Sequence, residues 1–436
     1  MKNKRIWFIL ICLFILLSLP IYTANSAAPW GTNRLVANTT SSIEERPRMA
    51  SGPNDEMAAV YSMDYDIYAS TRNADSSVWN NPNKITDPGH QLAIYPDVAM
   101  ASDGTIYSVW TDKRNDFNND IFFSRSSDSG VSWSANMDII PSINRAPNQV
   151  LPVIALDPRP GNSNVIYVAS FENPSSGQMF IDFSSSTDSG NTWTFQRLAY
   201  PVGYDIYKIG SLAMEVDTQG RIYLMFDELV SGETRIFFTT SNDGGQSWED
   251  MIPLTPPFDG CLVVHHPSLA LGNTGVVYVA YVQTNHTGCD NGEVVGVHLE
   301  VIRSANKGQS WEEPILAGPL TLPKDILQTI ALAVLPHGYG VTDDEIVIAW
   351  SDFPDKYQLY SIDSKNGGES WSEPVKLSDA AEPENINADF PQLVTLDGVV
   401  HAIWRDARRT GGVRAPYTAV MLPIFDHALY LPLLVK

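Results

Sequence analysis

The stretch Ser126-Ser127-Asp128-Ser129-Gly130-Val131-Ser132-Trp133 is the first of five copies of one pattern, S-x-[DN]-x-G-x-[ST]-W. The other four copies run from Ser186 to Trp193, Ser241 to Trp248, Ser304 to Trp311 and Ser364 to Trp371. Successive tryptophans of the pattern lie 60, 55, 63 and 60 residues apart. A nearly constant period of this size predicts a repeat architecture, in which each unit is one supersecondary element that stacks on its neighbours.

The pattern itself predicts a hairpin turn. Asp or Asn accepts hydrogen bonds from nearby backbone N–H groups, glycine takes a positive φ, Ser or Thr adds a local bond, and the tryptophan packs. This turn is the Asp-box, and the chain resembles the sialidase (neuraminidase) superfamily of Asp-box, or BNR-repeat, β-propellers. The resemblance implies that the Asp-box turns lie on the face opposite to the loops that enter the inner strands. We therefore expect their Asp and Asn residues to be structural.

The units between the turns predict the number of blades. Each period carries four short alternating strands separated by turn signals, which is typical of a propeller blade. The last unit lacks its own outer strand, whereas the segment Trp30 to Val36 reads like Trp371 to Leu377 of the sixth unit. We predict an all-β, seven-bladed propeller whose last blade is closed by residues 30–38, since an open ring would expose strand edges. Six blades, the number in the sialidase enzymes, is the alternative. Inner strands are expected to start near Pro47, Pro96, Pro152, Ser211, Pro267, Ile330 and Pro391.

The N-terminal residues predict a signal peptide for export of the protein, and the C-terminal residues predict a loose tail. A basic start from Lys2 to Arg5 precedes an apolar run, Ile6 to Leu19, so residues 1–27 are predicted to be a cleaved signal peptide of a secreted or extracellular protein. The run is shorter than the ~20 residues of a spanning helix, which disfavours a retained anchor. Residues 30–422 are predicted to form the propeller. The apolar tail 423–436 is interpreted as a loose terminus, with a secretion or surface-sorting tag as the alternative.

The net charge of the chain indicates which classes of partner are unfavourable. The formal net charge of −22 is spread along the sequence, which argues against nucleic acid or an anionic membrane surface as a partner. An anionic ligand would need a local cluster of arginines. We expect a monomer that binds a carbohydrate or a glycoprotein. We expect no cofactor, and the alternative is a structural cation such as calcium.

Cys261 and Cys289 are the two cysteines outside the predicted signal peptide. In an exported protein such a lone pair predicts a disulfide. The alternative is a metal site, because His265, His266 and His286 lie close in sequence. We favour the disulfide and predict no metal site.

Two rings of residues are predicted on the face that carries the loops entering the inner strands. The first ring follows the second strand of each unit, and we expect its carboxylates to cap their own loops, with a cation site or a general acid as alternatives. The second ring stands at the entrance to the inner strands and offers the aromatic and polar groups of a sugar site, with a merely wet channel mouth as the alternative. The first ring is Asp64, Asp112, Glu172, Glu228, Gln283, Asp352 and Asp406; the second is Arg46, Tyr95, Gln149, Tyr207 with Lys208, His266, Gln328 and Phe390.

The resemblance also implies a catalytic alternative. Sialidases hold the substrate carboxylate with three arginines, because a planar guanidinium pairs bidentately with a carboxylate. They use an Asp as acid/base and a Tyr, activated by a Glu, as nucleophile. Carried over, the catalytic set would be Asp112, Tyr207 and Glu228, and the substrate-binding set would be Arg46, Arg405, Arg408, Tyr95 and His266.

The chain departs from that pattern in two ways. Arg46 is followed directly by Pro47, where the family has an aliphatic residue in between. The W-x-D-x-R pattern that contains Arg408 recurs around Arg114, which favours Asp–Arg pairs within loops over a dedicated site. We therefore expect non-catalytic binding of a glycan or protein, with exo-sialidase-type hydrolysis as the alternative.

Overall fold

The structure is a computed structural model. It describes residues 30–39, 41–73, 76–114, 119–140, 149–172, 180–198, 209–230, 233–255, 262–272, 275–286, 294–317, 329–335, 344–352, 358–379, 387–409 and 412–422. The predicted signal peptide, the apolar tail and both cysteines of the predicted disulfide lie outside these ranges, so these three assignments stay predictions. No helix in the described part of the chain is long and apolar enough to cross a membrane.

The described residues form 28 β-strands and no α-helix, and the strands pair into seven antiparallel four-stranded sheets. Each sheet is one blade, and its first strand lines a central channel. Blade 1 contains β2 (Arg48–Ser51), β3 (Met57–Met63), β4 (Asp66–Arg72) and β5 (Asn83–Lys84). Blade 2 contains β6 (Ile94–Met100), β7 (Ile106–Asp112), β8 (Asp120–Ser126) and β9 (Met137–Asp138). Blade 3 contains β10 (Gln149–Leu156), β11 (Ile166–Glu172), β12 (Phe180–Ser186) and β13 (Thr194–Leu198).

The next three blades repeat this order. Blade 4 contains β14 (Ile209–Val216), β15 (Ile222–Val230), β16 (Glu233–Ser241) and β17 (Ile252–Pro253). Blade 5 contains β18 (Leu262–Leu271), β19 (Val277–His286), β20 (Val294–Ser304) and β21 (Ile315–Leu316). Blade 6 contains β22 (Ile330–Leu335), β23 (Glu345–Asp352), β24 (Gln358–Ser364) and β25 (Val375–Lys376).

Blade 7 joins the two ends of the propeller. It contains β26 (Asp389–Leu396), β27 (Val399–Asp406), β28 (Ala415–Val420) and, as its outer strand, β1 (Arg34–Leu35). β1 pairs antiparallel with β28, and Trp30 forms a further bridge to Met421. Both the seven-blade prediction and the closure by the N-terminal segment are confirmed, and the six-blade alternative is wrong.

The core lies between neighbouring blades rather than at one centre. Both faces of an inner strand pair are covered by other blades, so β7 is buried at every position. One cluster combines Val347 of β23 with Trp404 of β27, and another combines Tyr223 of β15 with Val279 of β19. Stacked sheets pack about 10 Å apart, a spacing that large apolar side chains fill. The ring therefore buries its apolar residues blade by blade.

The Asp-box turns attach each blade to the one before it. In the first turn the backbone N–H of Ser132 donates to Asp128 Oδ1 at 2.8 Å, and that of Gly130 donates to Ser126 Oγ at 2.9 Å. Gly130 has φ 83° and a Cβ there would meet Thr71 of blade 1 at 2.7 Å, so only glycine fits. In the next three turns the tryptophan lies edge-on against a phenylalanine of the preceding blade, as Trp193 does against Phe123 with ring centroids 5.1 Å apart.

Candidate functional site

The first strands of the seven blades enclose a channel of about 520 Å³. Several of these strands begin with a β-bulge in which a residue with left-handed backbone precedes a proline. In β6, for example, the register shifts between Ile94 and Asp97. A bulky residue at positive φ is strained, and such strain clusters at functional sites. The left-handed residues of this kind are Tyr95 (φ 53°), Leu151 (φ 56°), His266 (φ 46°) and Phe390 (φ 54°).

This bulge decides which side chains stand at the mouth, meaning the end of the channel where the inner strands begin. Arg46, His266 and Phe390 line the channel itself, and Tyr95 lines a small adjoining pocket together with Arg46. In blade 3 the equivalent residue is Leu151 rather than the predicted Gln149, whose Nε2 donates to buried Asp182 at 3.0 Å. Tyr207, Lys208 and Gln328 of the predicted ring lie outside the described residues.

Arg46 is the distinctive group of the mouth. Its guanidinium carbon lies 5.5 Å from the centroid of the Phe390 ring. Within the described residues Arg46 forms no ion pair and no hydrogen bond, unlike the other arginines of the predicted cluster. Burial, followed by the charge of Arg48, lowers the pKa of Arg46 to about 10, so the group stays charged at neutral pH. An enclosed guanidinium in the lining of a channel is suited to bind an anion.

Acidic groups face Arg46 without touching it. Burial raises the pKa of Glu45, which the charges of Arg46 and Arg405 partly offset. Asp227, in the wall between blades 4 and 5, accepts hydrogen bonds from Ser211 N–H, from Ser211 Oγ at 3.0 Å and from the backbone N–H of His266. Burial nonetheless raises the pKa of Asp227 to about 6, within the range of a general acid near neutral pH. Asp227 therefore holds the bulge of blade 5 and is a buried carboxyl group whose pKa lies close to the neutral range.

Deeper in the channel lie three charged residues that the sequence did not single out. Arg48 Nε is 3.9 Å from Asp97 Oδ1, and Asp97 Oδ2 accepts the Ile154 N–H at 2.9 Å, which ties blade 2 to blade 3. Glu215 is exposed to the channel yet surrounded by protein, and burial with the charge of Asp97 raises the pKa of Glu215 to about 7. The sequence does contain a pattern that could have identified these residues, because they are charged positions within inner strands that are otherwise mostly apolar.

Arg405 stands next to the mouth but is fully engaged. Its Nε and Nη2 donate to the two carboxylate oxygens of Asp389 at 2.8 and 2.7 Å, and its Nη1 donates to the Glu44 carbonyl. The guanidinium carbon also lies 4.7 Å from the centroid of the Phe390 ring. These contacts fix the bulge of blade 7 and leave no donor pair for a ligand, so they favour a structural role.

Arg408 and Asp112 belong to a clasp that recurs in blades 2 and 7. In blade 7, Arg408 binds Asp406 through its backbone N–H and Nε, Asp379 of the blade 6 edge at 2.8 Å, and Asn33 beside β1 at 3.0 Å. In blade 2, Arg114 binds the fully buried Asp112 and, at 3.1 Å, Asn136. Asn136 exchanges hydrogen bonds with Asp87 as Asn33 does with Asp379. The recurrence favours an Asp–Arg pair that joins blades over a substrate site, and the roles predicted for Asp112 and Arg408 have no further support.

The remaining predicted residues are placed only in part. Glu228 lies in β15 opposite Ile209 and Arg235, and its backbone alone is described. Among the described side chains of the acidic ring, Asp406 and Asp112 accept their loop's backbone N–H. Glu172 instead forms an ion pair with Arg197 of the outer strand of the same blade. In the described part of the chain, no group of three or more His, Cys, Asp or Glu side chains is arranged to hold a metal ion.

The family of repeats is shown by comparison with known proteins. The BNR repeat-like domain matches residues 61–316, more than half of the chain, so the chain belongs to this family. A search of curated proteins finds no significant match.

Among solved structures, the chain is similar to the polysaccharide lyase Uly1, with a TM-score of 0.55 and 12% identity over 93% of this chain and 94% of that one. It is also similar to a Penicillium chrysogenum α-L-arabinanase complexed with arabinobiose, with a TM-score of 0.51 and 14% identity over 76% and 93%. A third similar structure is the NanB sialidase of Streptococcus pneumoniae, with a TM-score of 0.50 and 11% identity over 84% of each chain. At these identities the likeness concerns the fold.

Proposed function

We propose that this BNR repeat-like propeller binds an acidic carbohydrate at the mouth of its channel, with Arg46 pairing to a carboxylate of the sugar. The observation that carries the proposal is the Arg46 guanidinium, which is enclosed, charged and without a hydrogen-bond or ion-pair partner in the described residues. A buried charge without a partner is costly, so a ligand carboxylate that pairs with it would bind favourably.

The surroundings of Arg46 suit a sugar. The Phe390 ring lies behind the guanidinium and Tyr95 lies in the adjoining pocket, and aromatic rings present apolar surface to the C–H faces of a sugar. The overall charge of −22 repels anions at long range, so recognition would depend on this local group. The similar solved structures that bear the names of a polysaccharide lyase, an arabinanase and a sialidase support a carbohydrate ligand.

A second candidate function, cleavage of the bound glycan, is favoured by one observation. Asp227 has its pKa raised to about 6 and lies close enough to Arg46 for its charge to act on it. A carboxylic acid in this pKa range can protonate a leaving group near neutral pH. Exo-sialidase-type hydrolysis would need further arginines beside Arg46, and Arg405 and Arg408 are engaged in ion pairs. We therefore rank binding above cleavage.

The test is a glycan array with sialylated, uronate-containing and neutral glycans, read with wild type, Arg46→Gln and the control Arg34→Gln. Arg34 lies on the outer edge of blade 7, where it donates to the Ser77 carbonyl. We expect wild type and Arg34→Gln to bind acidic glycans, and Arg46→Gln to lose about 2–5 kcal/mol of binding free energy, the range for an enclosed charge pair. Equal binding by all three proteins, or binding of neutral glycans alone, would contradict the proposal.

A parallel assay separates binding from cleavage. Wild type and Asp227→Asn are incubated with a fluorogenic sialoside and with uronate-containing polysaccharides, and products are followed by fluorescence, reducing ends and ultraviolet absorbance of unsaturated sugars. Turnover that Asp227→Asn removes would establish the second candidate. Absence of products from every substrate would leave binding as the function.

A further inference from the structure

In blade 1, β3 and β4 are joined by a two-residue hairpin turn on the face that carries the channel mouth. β3 and β4 are joined by the two residues Asp64-Tyr65, because Met63 pairs directly with Asp66. Both turn residues have positive φ, 54° and 60°, as a type I′ turn requires. The turn stands on the same face as the channel mouth, since β2 runs away from that face and β3 returns to it.

Tyr65 is an unfavourable residue for this position. Type I′ turns prefer glycine at the second central residue, and a bulky side chain with left-handed backbone is strained. Burial does not offset the strain, because 50% of the Tyr65 surface is exposed. The chain thus keeps an exposed aromatic ring where backbone preference favours glycine.

The backbone of the turn is held in place from two sides. The carboxylate of Glu44 accepts the Tyr65 N–H, at 3.3 Å from each oxygen, and also the Asp64 N–H. The Tyr65 carbonyl accepts the N–H of Ala93 at 3.0 Å. Strained residues persist where their surroundings determine them in this way, and the Tyr65 ring is accordingly presented from a rigid base.

The hydrogen bonds to Glu44 and Ala93 also connect the Tyr65 turn to two segments of the mouth. Ala93 precedes Tyr95 by two residues, and Glu44 precedes Arg46 by two residues, a span of at most about 7 Å in each case. Tyr95 and Arg46 line one pocket. The Tyr65 turn is therefore hydrogen-bonded to the two segments that lead into Arg46 and Tyr95, and its half-exposed ring belongs to the same face of the propeller as the Arg46 site.

Blade 1 also leaves this side of the mouth uncovered by its own loop. In blades 2, 3 and 7 the paired ends of the second and third strands are further apart in sequence, as Asp112 with Asp120, Glu172 with Phe180 and Asp406 with Ala415. Blade 4 has a connection as short as that of blade 1, because Val230 pairs with Glu233. In blade 1 the pair is Met63 with Asp66. A ligand that extends from the mouth across blade 1 would therefore cross a two-residue turn that carries the exposed Tyr65 ring.

We propose that Tyr65 is a second sugar subsite, so that the ligand is an oligosaccharide chain whose acidic unit pairs with Arg46 and whose next unit stacks on the Tyr65 ring. This inference rests on the proposed function and specifies its ligand as a chain rather than a single terminal sugar. A stacked aromatic contact adds roughly threefold to tenfold in affinity.

The experiment measures affinity against chain length by calorimetry. The probes are sialic acid with its α2,8-linked oligomers and galacturonic acid with its oligomers, each from monomer to tetramer. Wild type should bind the tetramer of at least one series more tightly than the monomer. Tyr65→Ala should lose roughly threefold to tenfold for that tetramer and stay within about twofold for the monomer, while Tyr65→Phe keeps wild-type affinity.

Two further variants separate the subsite from a structural role. Tyr65→Gly creates the preferred Asp-Gly turn, so it should melt no lower than wild type yet lose the same tetramer affinity as Tyr65→Ala. Phe195→Ala removes an aromatic ring that is 37% exposed on the outer strand of blade 3, and it should leave every affinity unchanged.

The outcomes distinguish the two proposals. Affinity that does not rise with chain length, or a Tyr65→Ala loss equal for monomer and tetramer, would overturn the subsite and leave Arg46 as the binding residue. Binding of no probe by wild type would overturn both.

Discussion

Blades 3 and 7 both pack a tryptophan against the preceding blade, but the two tryptophans come from different parts of the chain. In blade 3 the Asp-box tryptophan, Trp193, packs edge-on against Phe123 of blade 2. Blade 7 has no Asp-box, and Trp30 takes the tryptophan's place, with its Nε1 donating at 2.7 Å to Ser361, the residue of blade 6 equivalent to Phe123. Every blade of this comparison therefore has a tryptophan at the contact with the preceding blade. In blade 7 the N-terminal segment provides it, because the last repeat unit has no Asp-box.

The difference between the two blades is entropic. Arg125 and Ser189, joined between blades 2 and 3, are 64 residues apart, whereas Trp30 and Ser361, joined between blades 6 and 7, are 331 residues apart. Loop-closure entropy grows with the logarithm of that separation, which makes closure of blade 7 costlier by roughly 1.5 kcal/mol. More contacts compensate, because Asn33 and Arg408 add the clasp to the strand pairing.

Deletion of residues 30–38 removes the segment on which blade 7, unlike blade 3, depends for its outer strand. The deletion takes away β1, Trp30 and Asn33 and exposes the edge of β28, so we expect a loss of at least about 5 kcal/mol in the free energy of unfolding. Urea denaturation measures the loss. The control deletes residues 423–436, which the sequence predicts to be a loose terminus and which should leave the midpoint unchanged. Equal midpoints for all three proteins would show that ring closure does not depend on β1.

The two clasps allow a matched comparison of a smaller effect. Arg114→Gln in blade 2 and Arg408→Gln in blade 7 each leave a buried aspartate, Asp112 or Asp406, without its guanidinium. We expect each variant to lose about 2–4 kcal/mol in the free energy of unfolding, because a buried carboxylate remains unpaired. Glycan binding should not change in either variant. If Arg408→Gln alone lost affinity for acidic glycans at wild-type stability, Arg408 would be a binding residue and the structural interpretation would be wrong.

The smallest expected effect concerns the Asp-box itself, which blade 7 lacks. Hydrogen bonds from Ser132 Oγ and its backbone N–H lower the pKa of Asp128 to about 2. A lowered pKa stabilises the fold above the unfolded value near 4, and this contribution is lost as the pH falls from about 4 towards 2. Asn306 occupies the equivalent position in blade 5 with the same backbone bond from Ser310, so Asp128→Asn should fold normally at pH 7.

Denaturation midpoints from pH 2 to pH 7 test this prediction. Asp128→Asn should be close to wild type at neutral pH and less sensitive to acid. A variant with the full acid sensitivity of wild type would mean that Asp128 contributes nothing to the pH dependence of stability.

Much of the fold could be predicted from the sequence because repetition is a local signal. The five Asp-box turns carry their own hydrogen-bonding groups and glycines, and the likeness of Trp30 to Val36 with Trp371 to Leu377 indicates the missing strand. The recurrence of W-x-D-x-R in blades 2 and 7 likewise indicated an Asp–Arg pair within the loop, which the structure contains. In each case the physical cause lies within a few residues of the chain.

The mouth could be predicted only in outline. Arg46, Tyr95, His266 and Phe390 are recognisable as residues that precede the proline at the start of an inner strand. Whether an arginine there is free or engaged depends on groups distant in sequence, such as Asp389 for Arg405 and Asp379 for Arg408. The sequence alone therefore grouped Arg46, Arg405 and Arg408 by charge, and only the tertiary structure separated them by partner.

The repeat, the number of blades and their closure could be read from the sequence, because turn residues and strand patterning recur within each unit. The partners and surroundings of side chains depend on the closed ring: among the described residues Arg46 has no hydrogen-bond or ion-pair partner, Asp227 and Glu215 have raised pKa values, and Tyr65 is exposed in a strained turn on the mouth face. The physical reason is that ion pairing, desolvation and exposure depend on which residues of different blades the closed ring brings together.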